Sequence, residues 1–197
     1  MIDDVRDVLR RREALLVHFN TPMSRHESGY PRDLHDALAN LQWEMCYSTV
    51  VSTDVGPTHL ADPSKAAACG SVGIVVDLQP LSQIITVHSS DAGSNGRDGS
   101  SGMGSVASVA TCEQSMMGRA GGHNEWYLSH PRSLGIFSFT GPAVFVPGNG
   151  ELPYGLDAVA GDFPGERIFT VFQGQFHELD RNTWRWLPRS YSEIVPR

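Results

Sequence analysis

The chain is short of three things, and each shortage removes a class of function. It has only three cysteines in 197 residues, Cys46, Cys69 and Cys112, and no CxxC pair among them. An odd number without such a pair argues against a disulfide framework or a zinc ribbon and fits a reducing cytoplasm. It has a single lysine, Lys65, against fourteen arginines, and 22 acidic residues carry the formal net charge to -7. A protein that binds nucleic acid non-specifically needs a basic face to release counterions from phosphate, so this balance argues against that function. Long apolar runs are missing too, with no stretch of about 18 residues that would suit a membrane span. The N-terminus, MIDDVRDVLRRREALLVHF, begins with acidic residues and lacks the uninterrupted apolar core of a signal peptide. A soluble cytoplasmic protein with no membrane partner is expected.

Sharply defined motifs are also absent. There is no GxxxxGK[ST], GxSxG or HExxH, and no GxGxxG between a strand and a helix. His123-Asn124-Glu125 reproduces the HxE half of a zinc deaminase signature without its PCxxC half. The eight histidines lack the local spacings of a metal site, so no metal is expected.

What remains is a folded composition rich in short apolar segments. Gly and Pro together are 32 of 197 residues, short of a disordered composition, and one domain over 1–197 is expected. Ile2, Val5, Val8 and Leu9 recur at helical spacing, with Asp3 and Asp4 before them and Arg10 to Arg12 after, which predicts a helix over 2–13. A second helix runs from an Asp33 N-cap to about Glu44, and a third over 106–118 through Val106, Val109 and Ala110. Apolar or β-branched runs predict strands over 14–19, 45–53, 71–78, 81–89, 123–129, 134–139 and 143–147. Gly148 to Gly165 reads as a loop, and 167–180 with 183–189 as a β-hairpin turning at Asp180 to Asn182. The fold class is α+β, mainly antiparallel, with helices near the N-terminus and a C-terminal hairpin. Between residues 89 and 105, 11 of 17 positions are Gly or Ser, which predicts one long flexible loop of the kind that borders functional sites.

One ordered set of residues suggests chemistry. His18 ends the first strand in LVHFNTP, Tyr47 to Thr49 open the next, and Glu125 lies in NEWYLSHPRSLGIF, where a strand leads through a Pro into another strand. This order resembles the H-Y-E arrangement of diphtheria-toxin-type ADP-ribosyltransferases, and more closely that of the DarT group, which modifies DNA. GSVGIVVDLQPLSQIITVHSSDAGS is similar to that group's paired central strands and variable loop, so the resemblance covers roughly residues 14–137. It implies a split β-sandwich, NAD as substrate, and an unidentified macromolecular acceptor. It also implies that Glu125 stabilises the oxocarbenium-like state as nicotinamide leaves. His18 would fix the dinucleotide, Phe19 or Tyr47 would stack on nicotinamide, and Arg97 or Arg119 would hold the pyrophosphate under the Gly/Ser loop.

Two other readings compete. A small non-catalytic phage or mobile-element protein could bind a host protein through Trp126, Trp184, Trp186, Tyr191 and Arg189, residue types that dominate interfaces. A thiol hydrolase would pair Cys112 with His123 or His130.

Overall fold

Ten strands of the computed structural model join in one sheet, in the order β10-β9-β8-β7-β3-β1-β2-β6-β4-β5. The structure describes residues 1–20, 31–53, 72–89, 105–117, 124–139 and 156–196. At the centre, β1 (Leu15–Phe19) lies between β2 (Met45–Val50) and β3 (Val72–Asp77) and is antiparallel to both. On one side the sheet continues through β6 (Glu125–Ser129) and β4 (Gln83–His88) to the two-residue β5 (Ser105–Val106). On the other, β3 pairs with β7 (Arg132–Ser138), and β8 (Ile168–Phe172), β9 (Gln175–Asp180) and β10 (Arg185–Arg189) follow. All these pairings are antiparallel except that of β7 with β8. The architecture is α+β, dominated by a mostly antiparallel sheet.

Side chains alternate across a strand, so the sheet sorts its residues into two cores. One face carries Leu16, Ile74, Val76, Tyr47, Trp126, Leu128 and Ile136. Helix α1 (Ile2–Arg12) covers it with Val5 and Leu9, α2 (Arg32–Ala39) with Leu34 and Ala37, and α3 (Val109–Met117) with Cys112. A fourth helix, α4 (Leu156–Asp162), adds Val159 and Ala160, and Phe163 follows it into the same core. The opposite face gathers Leu15, Val17, Val50, Val75, Phe137, Phe139, Phe169, Val171 and Phe176. Helix α5 (Tyr191–Ile194) closes that core with Tyr191 and Ile194.

Two glycines allow close approach. A Cβ on Gly73 would stand 2.6 Å from the His18 carbonyl oxygen, so only glycine lets β3 lie this close to β1. Gly135 has φ 143°, and a Cβ there would meet the Arg167 carbonyl oxygen at 2.5 Å. Beyond the sheet, Arg181 donates to the carbonyls of Ala160, Phe163 and Glu166 at 2.7–3.2 Å, where α4 ends and the last carbonyls of a helix need donors.

Several expectations need correction. Helix α2 stops at Ala39, five residues before Glu44, and Asp33 sits in its first turn while Pro31 occupies the N-cap. Val106 belongs to β5 and is exposed, and Ala110 is exposed too; α3 buries Cys112 and Ser115, with Val109 and Met116 packed against the same core. The stretch read as a loop from Gly148 to Gly165 contains α4. The run 167–180 is two strands, because Gln173 and Gly174, both at positive φ, turn the chain between β8 and β9. Helices are therefore not confined to the N-terminal region: α3, α4 and α5 all lie beyond residue 105. The strand expected at 143–147 and the 89–105 loop, apart from its two ends, lie outside the described residues. Among the described residues no helix is long and apolar enough to cross a membrane.

Candidate active site

The central strands do not pair along their whole length. The ladder between β1 and β2 joins Leu15, Leu16 and Val17 to Val50, Thr49 and Ser48 and stops there. Beyond that point His18 and Phe19 pair only with β3, at Ile74 and Gly73, while Met45 to Tyr47 pair only with β6. The sheet thus opens between two adjacent strands.

His18 stands at this opening. Its Nδ1–H donates to the Cys46 carbonyl at 2.7 Å, a side-chain bond that spans the gap where a backbone bond would otherwise run. A carbonyl can only accept, so this bond fixes the tautomer and leaves Nε2 as an acceptor. Burial pushes the imidazole pKa below its ordinary value, against the opposing effect of the Cys46 bond, so the ring is held neutral. Tyr47 lies against it, with ring centroids 5.6 Å apart. Tyr47 is fully buried, and its hydroxyl finds no hydrogen-bond partner among the described residues.

Glu125 is the first residue of β6, the strand beside β2. Only 8 % of it is exposed, so it is a buried carboxylate and not a solvent-facing strand residue. The pairing of Tyr47 with Trp126 sets its direction. Trp126 points to the helical face, where its Nε1–H donates to Ser115 Oγ of α3 at 2.8 Å. Glu125, one residue earlier, projects from the opposite face. The structure therefore brings His18 and Tyr47 together on one face and sets Glu125 one strand away on the other.

On the Glu125 face a second group of polar residues collects. Ser48 directly follows Tyr47, which ends the β2–β6 ladder opposite Trp126, and the β4–β6 ladder pairs His88 with Glu125 directly. The Tyr127 hydroxyl donates to Glu125 Oε1 at 3.4 Å, and the Tyr127 and His88 rings meet edge to face at 5.8 Å. Phe19 shares this face, half-buried and stacked on Phe139 at 5.8 Å. Ser48, His88 and Tyr127 were not singled out from sequence. Tyr127 had a usable signal, since position i+2 on a strand shares the face of Glu125; the others depended on pairing. Asn124, just before Glu125, fixes the strand start: its Oδ1 accepts from the Thr49 N–H at 2.8 Å and the Thr49 hydroxyl at 2.9 Å. Arg97 and Arg119 lie outside the described residues.

No protein-family model matches this chain, and no curated protein or solved structure is significantly similar to it. The site's own chemistry must then separate the readings. Cys112 is fully buried, and desolvation pushes its thiol pKa up to about 12, which removes the thiolate a hydrolase would need. His123 lies outside the described residues, and His130 Nδ1 meets Ser129 Oγ at 3.1 Å. The interaction reading loses most of its anchors. Trp126 and Tyr191 are buried, Trp186 packs against the core, and Arg189 is bonded to Glu178 at 2.8 Å, which leaves Trp184 at the surface. Among the described residues no three or more His, Cys, Asp and Glu side chains group as metal ligands do.

Proposed function

We propose that this protein is an NAD-dependent ADP-ribosyltransferase of split β-sandwich type, transferring ADP-ribose to a macromolecular acceptor from NAD bound at the opening between β1 and β2. The observation that carries this reading is the ladder that stops at Val17 and Ser48, with His18 spanning the gap and a buried carboxylate, Glu125, on the next strand.

Where two strands part at the end of a ladder, a ligand can pair with backbone N–H and C=O groups as a neighbouring strand would. A carboxamide and ribose hydroxyls supply both donors and acceptors. A ligand lying in the gap meets side chains of both faces, which lets His18 and Tyr47 serve it from one side and Phe19 and Glu125 from the other. His18 Nε2 would accept from a ribose hydroxyl. Phe19 offers a ring to the nicotinamide. As the N-glycosidic bond breaks, its electron pair leaves with nicotinamide and the ribose C1′ gains positive charge. A carboxylate held in a partly desolvated site stabilises that charge more strongly than one in water.

Thermal denaturation with and without millimolar NAD tests the reading. NAD raises the midpoint of the wild-type protein, and His18→Ala, which removes the bridge to Cys46, loses most of that shift. An unshifted wild-type midpoint overturns the proposal.

A further inference from the structure

Strand β4 does not run in even register along β6. Ile84 pairs with Leu128, but the next pair is Thr86 with Tyr127, so Ile85 is an extra residue bulged out of the ladder and 40 % exposed. Without the bulge Val87 would stand opposite Glu125, and its apolar side chain would face the carboxylate. With it, Ile84 and Val87 both point into the helical-face core, and Thr86 and His88 turn to the other face. Bulges commonly re-aim a side chain next to an active site. Here the effect is to pair His88 with Glu125, which sets their Cβ atoms about 4.5–5.5 Å apart.

From this geometry we infer that His88 is the general base of the transfer and that Tyr127 is a positioning residue for Glu125, an inference that rests on the transferase reading above. Nicotinamide departs with the electron pair of the broken N-glycosidic bond, the acceptor's nucleophilic atom forms a bond to C1′, and the acceptor's proton passes to the His88 imidazole. Glu125 then does not have to take that proton and can face the developing positive charge. Among the described residues, the titratable groups facing His88 are Glu125 and Tyr127 on β6. Thr86 Oγ1 stands 3.4 Å from His88 Nε2, β5 brings only Ser105 and Val106 to β4, and α3 behind the sheet carries Glu113, paired to Arg12 at 3.1 Å.

The test is nicotinamide release from NAD, with water as the acceptor, followed across pH. His88→Gln is expected to lower kcat by about 100-fold with KM unchanged, to lose the acid limb of the wild-type profile, and to recover part of its rate with added imidazole. His88→Asn, checked by circular dichroism, should behave alike. Tyr127→Phe lowers kcat and keeps the limb. If wild-type protein releases nicotinamide and both His88 variants match it in rate and profile, the role of His88 is overturned while the transferase reading stands. If wild-type protein neither binds NAD nor releases nicotinamide, the underlying reading fails and this inference with it.

Discussion

Gly73→Ala is the substitution that most directly joins stability to the site. The added methyl would sit 2.6 Å from the His18 carbonyl oxygen, 2.7 Å from Val17 Cγ1 and 3.0 Å from the His18 carbonyl carbon. Two of those three atoms are backbone, so no rotamer change relieves the contact. Strands β1 and β3 must separate by several tenths of an ångström, at the very residue that spans the opening. Overpacking of this kind costs about 1–3 kcal/mol, which for a chain of this length lowers the melting midpoint by roughly 3–10 °C. Gly161→Ala is the matched control. Gly161 lies in α4, and a Cβ there meets nothing within 4 Å. It should gain about 0.5–1 kcal/mol from the lost flexibility of the unfolded chain. Differential scanning calorimetry of both variants reads the difference. A Gly73→Ala protein as stable as wild type, or equal losses in the two variants, refutes the claim that β1 and β3 are held this close.

Other outcomes follow from the same coordinates. Tyr47→Phe removes a buried hydroxyl that has no partner among the described residues, so chemical denaturation should show stability unchanged or raised by about 1 kcal/mol, while NAD stabilises the variant less than wild type. Cys112 stays protonated in the folded chain up to about pH 12, whereas the unfolded thiol ionises near 9, so stability falls as pH rises above 9; Cys112→Ser or Cys112→Ala flattens that slope in denaturant titrations. The His18 pKa is lowered on folding, so the unfolded chain takes up the proton first. Stability is unaffected above pH 6.5 and falls as pH drops below it toward the folded-state value, and His18→Gln loses that component.

The strands at the heart of the sheet were legible because their sequences are unambiguous. Within SVGIVVDL, Val72 to Leu78 is buried along its whole length, and the reading of 14–19 missed β1 by one residue. The pairing of β2 with β6 was not legible, since it joins residues about 80 positions apart and nothing in either segment names the other. Glu125 was found by its place in the chain, but its burial depends on that pairing. Even alternation in LSQIITVHS puts Ile84 and Val87 on opposite faces, and only the bulge at Ile85 unites them and turns His88 toward Glu125. Helix α4 escaped notice because its seven residues, LDAVAGD, make only about two turns and sit among Gly and Pro. The turn at Gln173-Gly174 was hidden because the glycine signal was weighed against a long β-rich run on both sides.

The central claim is that a buried carboxylate beside an opened ladder splits NAD. Its most direct measurement is release of nicotinamide from NAD by wild-type protein and by Glu125→Gln, which keeps the side chain's size and removes its charge. The account predicts slow release by wild type, and a variant that still melts with wild-type cooperativity and is still stabilised by NAD while its release drops to background. Equal release by the two proteins would contradict it.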